Sequence, residues 1–351
     1  MSGEWQGSAS AAVLVSLVLL WTPALPGSEP SAPAPSLEQA LERGRARLEQ
    51  AAANYPEHRQ CFSCHHQTLP LLAFDSLREA GLPINRELVR AQAEFTARSF
   101  AGRLDDLRKG TGIGGRSLTV SYGLWTLDLA DWTPDETTAA MVEYLLKTQR
   151  EDGHFPKHST RPPMSESLVT TTMLSAHFLR KFATSGQEAA ATAAVEKARA
   201  WLAKAGLPAQ EDLNFRLWGL KELGADSGEL DLLRKQILSR QRADGGWGQT
   251  GEMESDAYAT GQTLSLLAES GMDPQAEAYQ RGVAFLLRTQ FDDGSWLVET
   301  RAQPVQVFFD NGDPHGKSQF ISTAATGWAV AALARALPLT EAPATPPVAS
   351  D

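Results

Sequence analysis

Apolar residues along this chain recur every three to four positions in segments of helical length, and the strict alternation of a half-buried strand is almost absent. Gly, Pro and Asp breakers pair these segments as 36–53 with 67–80, 85–100 with 116–130, 134–149 with 165–182, 187–205 with 211–223, 227–241 with 255–270, and 274–290 with 318–336. The pattern predicts an all-α domain of six helical hairpins, and six hairpins close naturally into a ring. Pro/Ala/Ser-rich segments flank it at 28–35 and 338–351, and neither has the apolar content to build a core. The domain is therefore expected over residues 36–337.

Three hairpins carry the same connector after their first helix: Gln149-Arg150-Glu151-Asp152-Gly153-His154-Phe155, Gln241-Arg242-Ala243-Asp244-Gly245-Gly246-Trp247 and Gln290-Phe291-Asp292-Asp293-Gly294-Ser295-Trp296. Asp-Gly makes a tight turn with glycine accepting the positive φ, the Gln amide is expected to cap the next helix, and the aromatic packs over the joint. A degenerate copy lies at 197–206. These connectors resemble the QW repeats of squalene and oxidosqualene cyclases, shared in weaker form with protein prenyltransferase β subunits. That resemblance implies an α6/α6 toroid of outer and inner helices. The stretches 256–262, 281–296 and 314–329 are similar to squalene-cyclase-like domains of exported bacterial proteins that carry a C-x-x-C-H motif near their start.

Such a motif is present. Cys61-Phe62-Ser63-Cys64-His65 holds the only two cysteines of the chain, and its spacing suits a covalent c-type haem: two thiols for the porphyrin vinyls and an adjacent imidazole for the iron. A disulfide, or a zinc site using Cys61, Cys64, His66 and His58, shares the same residues. The apolar run 11–21 followed by Pro23, Pro26 and Gly27 reads as a Sec-type signal over 1–27, despite an n-region without Lys or Arg. A periplasmic or secreted address, with no spanning helix in the mature chain, follows, and export agrees with covalent haem attachment. A formal net charge of −10 with scattered Lys and Arg discounts nucleic acid and anionic membrane as partners.

In the hairpin scheme the motif occupies the first hairpin's connector, and all such connectors open on one rim. His58, His65, His66, His154, His158 and His315 fall in connectors, and only His177 falls in a helix. His315, in the long loop 298–317 before the last helix, is the first candidate for a second iron ligand, ahead of Met253, Met164 and His154. A five-coordinate iron is the other arrangement open to the site.

Gly110, Gly112 and Gly115 formally fit a dinucleotide fingerprint, but no strand precedes them, so the segment reads as an inter-helix loop. The Asp-x-Asp-Asp acid motif of class II terpene cyclases is missing, since Asp105-Asp106 and Asp292-Asp293 lack the outer Asp. So are the Asp-Asp-x-x-Asp of prenyl-diphosphate ionisation and a recognisable prenyltransferase zinc triad. Asp256 is a weak candidate catalytic acid, and an acid at a helix start more commonly answers the helix dipole. Tyr122, Trp125, Trp218, Tyr258 and Trp328 are expected to line an aromatic bore. The leading expectation is a haem-binding toroid for redox or sensing, with a redox protein or an apolar small molecule as partner. A cyclase-like enzyme acting on a polyprenoid and a structural partner-binding ring stand behind it.

Overall fold

The computed structural model describes residues 1, 3, 34–158, 161–303 and 307–338. The chain divides into two units, Met1–Ala34 and Pro35–Asp351, and the second is the subject from here on. The apolar run and signal expected over 1–27 and nearly all of the tail 338–351 lie outside the described residues. No described helix is long and apolar enough to cross a membrane.

The six expected hairpins are all present. They are α1 (Leu37–His58) with α2 (Leu69–Glu79); α3 (Arg86–Ala101), then the short α4 (Leu104–Lys109), with α5 (Arg116–Leu129); α6 (Glu136–Thr148) with α7 (Leu168–Phe182); α8 (Glu188–Leu202) with α9 (Gln210–Glu222); α10 (Ser227–Leu238) with α11 (Ala257–Glu269); and α12 (Glu277–Thr289) with α13 (Gln319–Arg335). The second helices form the inner ring: α2 packs on α5, α5 on α7, α7 on α9, α9 on α11, α11 on α13, and α13 returns to α2. Sequence separates the two layers. Outer α12 buries one stripe, Tyr279, Gly282, Val283, Phe285 and Leu286, whereas inner α13 is buried at every position from Ile321 to Ala334.

The aromatic set of the inner helices packs on itself. Trp125 stacks on Trp218 with centroids 5.6 Å apart, lies 6.1 Å from Trp328 and 5.8 Å from Tyr122, and Phe215 bridges Trp218 and Trp328. These rings come from α5, α9 and α13 and are buried against one another.

The repeated connectors act differently from the expected helix cap. Gln149 Nε2 donates to Gly153 O of its own turn and to Ala194 O of α8; Gln241 Nε2 donates to Gly245 O and to Ala278 O of α12; Gln290 Nε2 donates to Gly294 O and to Ala40 O of α1. An N-cap needs an acceptor for helix N–H groups, whereas here the amide nitrogen donates to carbonyls, so each glutamine staples its hairpin to the next outer helix. The turn glycines, at φ 105°, 91° and 84°, lie so close that an added Cβ would stand 2.2, 2.3 and 2.2 Å from the carbonyl oxygens of Lys197, Arg281 and Arg43. The third staple joins the last hairpin to the first.

Candidate functional site on the connector rim

The first hairpin has no glutamine turn, and its connector is built around the cysteine motif. Helix α1 ends at His58, and Ser63, in extended backbone, accepts from His66 N and starts a π-helical turn over Cys64–Thr68. π-turns are rare and cluster at functional sites. This turn and Phe62 before it are held by two neighbouring helices. Thr68 Oγ1 bonds Tyr122 O and Thr126 Oγ1 of α5, Gln67 Nε2 donates to Gln92 Oε1 of α3, and Phe62 N donates to Ser99 Oγ of α3.

Both cysteines are free; Cys61 is exposed and Cys64 partly so. Tyr55 OH lies 3.7 Å from Cys61 Sγ, and burial on the protein side pushes the Cys64 thiol up to about 11. His65, half-buried, packs its ring 5.0 Å from Phe320, has Ser63 Oγ at 3.0 Å from Nδ1 and 3.3 Å from Nε2, and sets Nδ1 against Nδ1 of His66. Burial, then the neighbouring His66 and Arg161, hold its imidazole well below the usual histidine range, so it is neutral at pH 7.

His66 is fully buried between Tyr55, 4.9 Å away, and Phe320. Its Nε2 lies 2.7 Å from Asp313 Oδ2 and 3.1 Å from Asn311 Nδ2. Asp313 in turn accepts from Asn311 Nδ2 at 2.6 Å and from Arg47 Nη2 at 3.3 Å. Burial alone would raise the Asp313 carboxyl, but the bonds from His66 and Asn311 and the charge of Arg47 outweigh it and hold the group below its ordinary value.

The loop 298–317 thus reaches the first connector, as the ring predicts, but it delivers Asn311 and Asp313. His315 has φ 76°, bonds Ser295 Oγ through Nε2 at 2.8 Å and packs on Phe291. No hydrogen bond or ring contact joins it to His65 among the described residues. His154 is paired with Asp152 at 2.6 Å and packs on Trp201, Met164 is buried in the core, and Met253 lends its backbone carbonyl to Arg242. For a zinc site, His66 has both ring nitrogens engaged by His65 and Asp313, and His58 is an exposed residue at the end of α1.

Asp256 is the N-cap of α11: Oδ1 accepts from Ala259 N at 2.8 Å and Oδ2 from Gln249 Nε2 at 2.9 Å, while burial raises its carboxyl to about 6. Asp105 and Asp106 open α4, Asp293 ties its own turn through Ser295, and the glycine-rich segment links α4 to α5, two helices.

A further acid escaped the sequence reading. Glu211, in the first turn of inner helix α9, is 4% exposed and accepts from Thr170 Oγ1 and Tyr258 OH, each at 3.0 Å. Burial, only partly offset by those bonds, raises its carboxyl to about 8. It lies within electrostatic reach of Cys64, Tyr122 and Tyr258. Tyr122 OH and Trp328 Nε1 are buried without a hydrogen-bond partner. The available signal was the pair Glu211-Asp212 at the start of a helix assigned to the inner ring, where every face is covered.

No protein-family model matches the sequence, and no curated protein matches it. Among solved structures, the chain resembles a variant of the type II terpene cyclase MstE from Scytonema, in complex with merosterolic acid A, with a TM-score of 0.55, 15% identity and coverage of 86% of this chain and 96% of that one. A protein from Actinoplanes is similar at TM-score 0.55 and 13% identity, covering 86% of this chain and 99% of that one. A polysaccharide lyase is similar at TM-score 0.52 and 12% identity, covering 86% and 98%. The chain has the terpenoid-cyclase toroid fold, and that fold carries more than one chemistry.

Proposed function

We propose that the protein is a haem c carrier built on a terpenoid-cyclase-type toroid, with haem joined to Cys61 and Cys64 and its iron held by His65. One observation carries this reading: both thiols of the cysteine motif are free on the rim connector, and the half-buried His65 stands directly beside Cys64 on its π-turn. The residues fit the group. Cys61 and Cys64 flank the histidine on a rim connector, the π-turn fixes its backbone, and Tyr122 OH, buried near Cys64, is a free donor for a ligand's acceptor. Haem bound there supplies one-electron transfer and an iron site for small ligands. The chain's own part is to orient the imidazole, keep it neutral and cover one side of it with Phe320.

The test is expression with a haem-maturation system, followed by haem staining of a denaturing gel and a pyridine haemochrome spectrum. A coloured band lost in Cys61→Ala and Cys64→Ala is expected. A colourless wild type, with zinc found by elemental analysis, refutes the proposal.

A second reading, acid-catalysed chemistry on a polyprenoid, is the one the fold comparisons favour, and Glu211 gives it a specific observation. With a carboxyl near 8, Glu211 is largely protonated at pH 7, as a general acid must be, and the inner-ring aromatics suit developing cationic charge. Against it stands the lack of the Asp-x-Asp-Asp acid motif in the sequence. Conversion of squalene by the wild type and its loss in Glu211→Gln would move this reading to first place.

A further inference from the structure

The connector between α12 and α13 does more than join its own hairpin. Its first part is tied to α13: Val298 N donates to Ser322 Oγ and Thr300 N to Ser318 Oγ, each at 3.1 Å. The next residue, Arg301, leaves that hairpin. Its Nε and Nη2 both donate to Gln249 Oε1 of the α10–α11 connector, at 2.9 and 2.7 Å, and Nη2 lies 3.6 Å from Glu166 Oε2, two residues before α7. We propose that residues 298–301 are a strap over the starts of the inner helices, clasped by Arg301, and that release of this clasp opens the way from solvent to Glu211.

The ring order shows how far that one side chain reaches. The inner helices run α2, α5, α7, α9, α11, α13 and back to α2, so α7 and α13 stand three places apart whichever way the ring is counted. A contact between the connector of one and the residues just before the other has to pass over what lies between them. On the side taken here these are α9 and α11, and a contact marks each step. Gln249 Nε2 donates to Oδ2 of Asp256, the N-cap of α11; Gln249 O accepts from Gln210 N at the start of α9; and Ser167 Oγ, at the N-cap of α7, donates to Asp212 Oδ1 in the first turn of α9. The starts of α7, α9 and α11 are thus gathered under one guanidinium. Glu211 lies in the same first turn of α9, and it and its partner Tyr258 are only 4% and 1% exposed.

The clasp has a firm part and a loose part. Gln249 is buried, and its carbonyl oxygen accepts two N–H groups of the guanidinium. The side chains of Arg301 and Glu166 are 30% and 55% exposed. An exposed ion pair contributes little and is screened by salt, whereas hydrogen bonds from a charged donor to a buried acceptor are stronger. Release therefore begins at Glu166 and is completed at Gln249.

The strap's use as a gate for a reactant rests on the polyprenoid reading; the strap itself does not. Hydroxyl-radical footprinting of the full chain, read residue by residue by mass spectrometry, tests it on native side chains. Tyr258 reports on access to Glu211, and Tyr279, fully buried in α12 with its OH on Ala332 O, is the reference. Both are expected to be protected in the wild type. In Arg301→Ala, oxidation of Tyr258 relative to Tyr279 is expected to rise roughly ten- to hundredfold, the factor that corresponds to losing hydrogen bonds from a charged donor. Glu166→Gln, which loosens only the exposed pair, should raise it about threefold at most. An unchanged ratio in Arg301→Ala overturns the inference, and so does a rise shared equally by Tyr279, which is loss of global stability. If Arg301→Ala does not fold, Arg301→Lys, which keeps the charge and loses the fork, carries the same comparison. A strap that opens as expected in a protein that converts no squalene keeps this inference and ends the polyprenoid reading. A Tyr258 ratio indifferent to Arg301 in a protein that does convert squalene has the reverse result.

Discussion

Replacing Gly294 by alanine tests whether the Asp-Gly turns weld one hairpin to the next. Gly294 sits at φ 84°, and its added Cβ would lie 2.2 Å from Arg43 O and 2.4 Å from the Arg43 carbonyl carbon, both backbone atoms of α1. A side chain in left-handed backbone costs about 1–2 kcal/mol, and forcing atoms into a filled contact costs a further ~1–3 kcal/mol. The turn must back away from α1, which also strains the Gln290 donation to Ala40 O. The total, about 2–5 kcal/mol, corresponds to a fall in Tm of roughly 4–10 °C at the ~2 °C per kcal/mol of a domain this large. Gly206, in the degenerate connector, is the internal control: nothing lies within 4 Å of its added Cβ. Gly206→Ala is expected to stay within about 0.5 kcal/mol of wild type. Circular-dichroism melts of the two variants, and of Gly153→Ala and Gly245→Ala as repeats of the first, decide the matter. If Gly294→Ala melts with Gly206→Ala, the turns are not docked on the neighbouring helix and the staple argument fails.

Other expected outcomes follow from the same contacts. Gln290→Ala, which strips a donor from Ala40 O and Gly294 O, should cost about 1–3 kcal/mol by chemical denaturation, and a midpoint equal to wild type would count against the staple. Glu211 has its carboxyl raised from an ordinary 4.5 to about 8, so the folded chain holds a proton that the unfolded chain has released, and stability must fall as pH rises between those values. Between pH 6.5 and 8 the loss from this group is about 2 kcal/mol, and Glu211→Gln should remove that part of the slope; an equal slope in both proteins would show that Glu211 is ionised when folded. Asp256→Ala should cost about 1 kcal/mol and Asp256→Asn only a few tenths in a thermal melt, because asparagine also caps; equal losses would mean that the acid does more than cap. His315→Ala removes a bond to Ser295 and should leave the visible spectrum of haem-loaded protein unchanged, whereas a shift toward high spin would establish it as an iron ligand.

Helical periodicity carried the architecture because the two layers of a toroid differ in how much of each helix they bury. One apolar stripe identified α12 and all-round burial identified α13, and the breakers between them were Gly, Pro and Asp. Position along a loop was harder to read. The sequence places 298–317 beside the first connector, but which of its side chains turns inward depends on local backbone: left-handed φ at His315 sends that ring to Ser295, and two residues earlier Asp313 reaches His66. The glutamines show a similar limit. Their recurrence was evident, but a donor and a cap differ only in where the next outer helix lies. In sequence Glu211 is only the first residue of the segment 211–223; its cover by Thr170 of α7 and Tyr258 of α11 sets it apart, and no local pattern encodes that cover.

The staple from Gln290 to Ala40 spans 250 residues of chain. Bringing such distant ends together costs an entropy of about 5 kcal/mol by the loop-closure relation, against about 3 kcal/mol for the sequential staples, which span 45 and 37 residues. An open array of hairpins could grow from any point and stop anywhere, at the expense of a bare face at each end. Here the last face is covered by the first, α13 packing on α1 and α2, so neither end of the array is left bare. The same closure brings Asp313 to His66, so the cysteine-motif connector takes its carboxylate partner from the opposite end of the chain.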